Sequence, residues 1–230
     1  MFDKQFAINI AIPAAQAAYD IMLGNITLPL NYKLVGLIDT DTKIDPDPKI
    51  SKILASGNTW GYIARDSNST IVAIRGTETL KDWLEDFDAI LVPSRVGMIH
   101  YGFNRVYQHI KPSIFGQLHS NIDEPYYIIG HSLGAAVAGY LAYDYQSVPT
   151  IGYTFGEPRG GDSTWASNFN RGVPNWNRVV NHGDIVPGVP LWPFKHKGTA
   201  TAVKGGFHLD DISYAHHLTT YDNGLKELAA

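Results

Sequence analysis

The chain contains no cysteine, which excludes thiol nucleophiles, disulfide frameworks and thiolate metal sites. No apolar run approaches the roughly 18 residues that a membrane-spanning helix needs. There is no Lys/Arg block, and the formal net charge is −4, so the electrostatic footprint of a nucleic-acid binder is missing. Acidic tails, internal repeats and low-complexity linkers are missing too. What is present is 230 residues, 44% of them hydrophobic and 17% charged. That is enough to bury the core of a single α/β domain over residues 1–230. The segment Met1 to Asp20 has the apolar bias of a leader peptide, but Asn9 and Pro13 interrupt it. The expectation is a first helix packed on a sheet.

Short apolar runs predict strands at Gly61 to Arg65, Thr70 to Arg75, Tyr126 to Gly130, Ile151 to Phe155 and Asn177 to Val180. Helical periodicity lies between the later runs, at Phe103 to Ser120 and Leu133 to Tyr145. Strands separated by helices imply crossovers and a mostly parallel sheet flanked by helices. The first two runs, joined across Asp66 to Ser69, predict an antiparallel hairpin edge. Asp39 to Lys49, "DTDTKIDPDPK", reads as a solvated loop, because calcium-loop spacing is missing.

Gly130-His131-Ser132-Leu133-Gly134 follows a strand and opens a helix of small residues. A serine in such a sharp turn adopts strained backbone angles, and its neighbours must lack bulk. The helix N-terminus favours developing negative charge beside it. This points to Ser132 as a nucleophile. A serine hydroxyl needs an imidazole base, and the base needs a carboxylate to fix its tautomer.

The order on such folds is serine, acid, histidine. Asp184, just after an apolar strand in "RVVNHGDIVPGVP", is the expected acid, with Asp162, Asp210 and Asp211 as competitors. Histidines 196, 208, 216 and 217 follow it. His217 is the expected base, with His216 the alternative; His182 precedes the acid and fits the order poorly.

Residues Thr79 to Leu91, "TLKDWLEDFDAIL", carry Leu80, Trp83, Leu84, Phe87 and Leu91 on one helical face. The opposite face is mostly acidic.

Taken in order, these segments resemble the class 3 lipases, the fungal-type α/β-hydrolases. GHSLGAA looks like their nucleophile motif, and "VAIRGTETLKDWLEDF" like their R-G-T/S segment with the lid behind it. "IHYGFNRVY", "YTFGEPRGGD" and "NRVVNHGDIVPGVP" are similar to three further family segments. The likeness covers about Ala14 to Tyr221. It implies an α/β-hydrolase fold with a short helical lid at about 78–91, and an ester hydrolase needing no cofactor or metal. It implies Ser132, Asp184 and His217 as the triad, with Thr77 and Leu133 in the oxyanion hole. The lid residues Leu80, Trp83, Leu84 and Phe87 would meet substrate at a lipid–water interface. Acylglycerols are the implied substrates; short soluble or feruloyl esters, or phospholipids, are the alternatives. A non-catalytic binding protein on this scaffold would have lost a triad or oxyanion member, and none is lost.

Overall fold

In the computed structural model, residues 2–40, 44–77, 88–118, 124–208, 211 and 213–230 are described. Seven strands form one sheet: β1 Lys33–Asp39, β2 Thr59–Arg65, β3 Thr70–Ile74, β6 Tyr126–His131, β7 Thr150–Phe155, β8 Asn175–Asn181 and β9 Thr199–Val203. β1, β2 and β3 pair antiparallel; β3, β6, β7, β8 and β9 pair parallel in that order. A separate ribbon joins β4 Leu91–Ser94 to β5 Gly97–His100.

The expected hairpin is present. Asp66 Oδ1 accepts from the Asn68 and Ser69 amides at 2.8 and 2.7 Å and closes the turn. The expected strands all form, with ends shifted by a residue or two.

The central strands read as unbroken apolar runs because both sheet faces are covered. In β3, Val72 and Ile74 pack on one face, and Ile71 and Ala73 on the other. The first face carries the helices Pro48–Leu54, Tyr101–Phe115, Leu133–Asp144 and Ser163–Gly172. The second carries Leu218–Ala229 and the N-terminal helical run: Lys4–Phe6, a π-helical turn Ala7–Ala11, and Ile12–Met22. The N-terminal run buries Ala7, Ala11, Ala14, Ala15, Ala17 and Ala18. Its small side chains let the helix backbone lie close to the strands.

Three expectations change. The helix expected over Phe103 to Ser120 runs Tyr101–Phe115, because His100 caps it early: Nδ1 accepts from the Gly102 and Phe103 amides. Leu91 belongs to a strand, so it is not part of the helical face expected from the sequence. In the stretch expected as a solvated loop, Asp45 is anchored rather than solvated, and Pro48 opens the helix Pro48–Leu54. Asp45 is buried and accepts from Arg105 Nε at 3.0 Å and His109 Nε2 at 2.7 Å. Among the described residues no helix is long and apolar enough to cross a membrane.

Candidate active site

The parallel strands β3 and β6 are neighbours, with Ile74 opposite Gly130. Adjacent strands lie roughly 4.8 Å apart, so the residues just past their carboxyl ends meet. Those residues are Gly76 and Thr77 on one side and Ser132 on the other.

Ser132 has φ 59° and ψ −134°, one of two non-glycine residues at positive φ among those described. Such a conformation costs of order 1–3 kcal/mol and persists only where its surroundings enforce it. They do so here. The Ser132 amide donates to the Phe155 carbonyl at 3.0 Å, and the Ser132 carbonyl accepts from Ala135 at 3.0 Å. A Cβ on Gly134 would sit 2.3 Å from the Arg75 carbonyl oxygen, and one on Gly130 would sit 2.6 Å from the Ala135 Cα. Both glycines are therefore required by contact with main chain. Leu133 is the first residue of the helix Leu133–Asp144, so its N–H has no acceptor inside that helix.

Asp184 follows β8, as expected. Its carboxylate is fully buried; Oδ1 accepts from the Val186 amide at 2.9 Å. Oδ2 lies 2.7 Å from His216 Nδ1 and also accepts from the Tyr221 hydroxyl. The sequence favours His217 as the imidazole here; the structure brings His216 instead. His216 is 4% exposed and ends the 3-10 turn Tyr214–His216, whereas His217 is exposed and is the N-cap of the last helix. A 3-10 turn rotates about 120° per residue, so adjacent side chains cannot face the same carboxylate.

Asn181 fixes this turn by donating from Nδ2 to the Ala215 carbonyl at 2.8 Å. Tyr221 is a partner that sequence reasoning missed. Burial and the adjacent Asp184 carboxylate push its hydroxyl well above the usual range, so it stays a donor. Its signal was faint: one tyrosine among thirteen.

The far nitrogen of His216, Nε2, and the hydroxyl oxygen of Thr77 are shielded from solvent without a hydrogen-bond partner among the described residues. Buried polar atoms normally find one, so these two are available to a group that enters beside Ser132. The competing acids have other work. Asp162 caps Ser163–Gly172, accepting from the Trp165 amide at 2.7 Å. Asp211 is exposed and accepts from Ser213. Asp210 and the lid residues Leu80, Trp83, Leu84 and Phe87 lie outside the described residues. His196 Nε2 bonds the Pro187 carbonyl at 2.6 Å, and His208 meets Tyr214 edge to face. Among the described residues no cluster of three or more His, Asp or Glu side chains could hold a metal ion.

A family profile described as Lipase (class 3) matches residues 71–194. The lipase of Rhizomucor miehei is 32% identical over 160 residues, covering 61% of this chain and 44% of that one. Phospholipase A1-II 1 of Oryza sativa subsp. indica is 30% identical over 170 residues, covering 59% and 43%. The chain thus spans less than half the length of these relatives. The structure of lipase II from Rhizopus niveus superposes with a TM-score of 0.71 at 22% identity, covering 87% of this chain and 80% of that one. At that identity the likeness speaks for the fold, an α/β-hydrolase.

Proposed function

The chain belongs to the class 3 lipase family, and from that premise we propose that it is a serine carboxylic ester hydrolase acting on acylglycerols through an acyl-Ser132 intermediate. The observation that carries this reading is the buried Asp184–His216 pair at 2.7 Å with its outer nitrogen unpaired, together with a serine held at positive φ whose preceding residue, His131, has its ring 4.6 Å from that of His216. In this scheme His216 Nε2 takes the Ser132 proton as the hydroxyl attacks the ester carbonyl. It then returns the proton to the leaving alkoxide. Asp184 keeps the other ring proton on Nδ1 and stabilises the imidazolium. The Leu133 and Thr77 N–H groups, with the Thr77 hydroxyl, hold the oxyanion; each such donor is worth roughly 3 kcal/mol. Water repeats the cycle on the acyl-enzyme. The scheme needs no metal or cofactor.

Lipid esters are favoured over small soluble ones by the amphipathic sequence pattern of Leu80, Trp83, Leu84 and Phe87, read as a lid whose apolar face turns to an interface. Likeness to a phospholipase A1 supports a second reading, in which the ester is that of a glycerophospholipid. The test is a set of initial rates on one short ester below and above its solubility limit, on emulsified triacylglycerol, and on phosphatidylcholine vesicles. A rise at the limit with triacylglycerol turnover is expected. Turnover of vesicles alone selects the phospholipase, and a flat profile selects a soluble esterase. Ser132→Ala should lose at least ~10⁴-fold in kcat and fail to label with an organophosphonate. Unchanged hydrolysis overturns the reading.

A further inference from the structure

His131 occupies the free position of the G-x-S-x-G turn, immediately before Ser132, and is 7% exposed. Its ring lies 4.6 Å from that of His216, centroid to centroid, with the planes 31° apart. Its Nε2 is 2.8 Å from the main-chain carbonyl oxygen of His216. A carbonyl oxygen only accepts, so the His131 proton is on Nε2. Nδ1 is then a bare acceptor, and the Tyr19 hydroxyl stands 2.7 Å from it. The tyrosine donates its only proton there. Its oxygen in turn accepts the Gly76 N–H at 2.9 Å.

The direction of every bond is thereby fixed: Gly76 N–H to Tyr19, Tyr19 O–H to His131, His131 Nε2–H to the His216 carbonyl. The chain of bonds links sites 57, 112 and 85 residues apart in sequence. Each end is main chain at a functional point. Gly76 directly precedes Thr77, and a Cβ on it would lie 2.7 Å from Ser132 Cβ and 2.9 Å from the Tyr19 oxygen. His216 carries the ring on Asp184. Neither of the two linking side chains is charged. Burial, and then the neighbouring His216, hold His131 well below its usual range. Burial pushes Tyr19 up to about 12. A neutral His131 adds no like charge against the imidazolium that forms on His216 during acyl transfer.

We propose that Tyr19 and His131 are positioning residues: their bonds set the spacing of the His216 imidazole, Ser132 and the Thr77 end of the oxyanion site, and so raise kcat without touching substrate. The inference rests on His216 being the base. It predicts a kcat effect, because misplacement by a fraction of an ångström weakens interactions made in the transition state more than those made with bound ester.

The experiment uses the full chain and a soluble p-nitrophenyl ester. Tyr19→Phe removes one oxygen and is expected to lower kcat about tenfold, with KM within twofold of wild type. Phosphonylation of Ser132 should slow by the same factor. His131→Leu should lose more than tenfold; His131→Gln, which keeps an N–H for the His216 carbonyl, should recover most of that. In ¹⁵N-histidine NMR, wild-type His131 should show the Nε2–H tautomer, and Tyr19→Phe should change its Nδ1 resonance. A kcat for Tyr19→Phe within twofold of wild type, or a loss matched by the unfolded fraction, overturns the positioning role. If His216→Ala stays active, the base reading itself fails; if only the Tyr19 and His131 variants are silent, that reading stands and the relay falls.

Discussion

Two buried polar clusters sit side by side at the carboxyl end of β7, and they are finished differently. Gly156 faces the first: a Cβ there would lie 2.6 Å from His216 Cε1. The next residue, Glu157, is the centre of the second. Glu157 Oε1 accepts from Lys197 Nζ. Oε2 accepts from the Thr154 hydroxyl at 2.6 Å and Trp176 Nε1 at 2.9 Å. Arg178 Nε donates to the Lys197 carbonyl at 2.6 Å. Burial alone would raise the Glu157 carboxyl, yet Lys197 and Arg178 hold it below its usual range. Every oxygen of that carboxylate is paired. The Asp184–His216 cluster instead leaves His216 Nε2 and Thr77 Oγ1 without partners. Full pairing of a buried carboxylate makes a scaffold, whereas a carboxylate-held imidazole with its other nitrogen unpaired is equipped for proton transfer.

That contrast breaks most sharply at the histidines. His216→Ala is expected to cut kcat by at least ~10⁴-fold, while His217→Ala stays within twofold, measured as turnover of a short ester. Exchanged effects would return the base to His217.

Breaking the scaffold is a stability matter. Lys197→Met strands a buried carboxylate and should cost about 3–5 kcal/mol in denaturant unfolding. Adding Glu157→Gln should restore much of it. A Lys197→Met protein as stable as wild type would mean that the pair is not buried as described.

Acid provides a third lever. His196 lies beside this scaffold, and its pKa is lowered to about 4, chiefly by burial and next by Arg178. The unfolded chain binds that proton at its ordinary pKa of about 6.5, so between there and about 4 the unfolded state holds more protons. Stability is therefore greatest above about 6.5 and falls as pH drops toward 4. The full effect is on the order of 3 kcal/mol. His196→Gln should flatten that slope in thermal unfolding; an unchanged slope would assign it to other groups.

The smallest effect is at Tyr221. Tyr221→Phe removes one donor from Asp184 but leaves the His216 bond. A charged hydrogen bond is worth about 1.5–3 kcal/mol, so kcat should fall about tenfold. Loss as large as that of His216→Ala would mean that Tyr221 does more than orient the carboxylate.

Much of the sheet was legible because its central strands are buried on both faces and carry continuous apolar runs. Edge strands were not. β1, Lys33–Asp39, is interrupted by Gly36 and largely open to solvent, and β9, Thr199–Val203, reads "TATAV" with most positions exposed or half-buried. Neither has the pattern that burial imposes. The final helix, Leu218–Ala229, begins with paired threonines and contains Asn223-Gly224, which locally favour extended and turn conformations. Packing of Leu218, Tyr221 and Leu225 on the sheet overrides that preference.

The sequence by itself determined the strained turn at Ser132 and the place of Asp184 just beyond a strand, the residues proposed as nucleophile and acid. Those features are enforced by contacts within a few residues: glycines either side of a serine, a strand before and a helix after, an aspartate just beyond a strand. Only the tertiary structure shows which of two adjacent histidines meets Asp184, and which groups (Tyr19, His131 and Tyr221) surround the pair. Neighbouring imidazoles are chemically identical, and what separates them is the direction in which a short turn, tied down by Asn181 and His131 from distant strands, aims each ring.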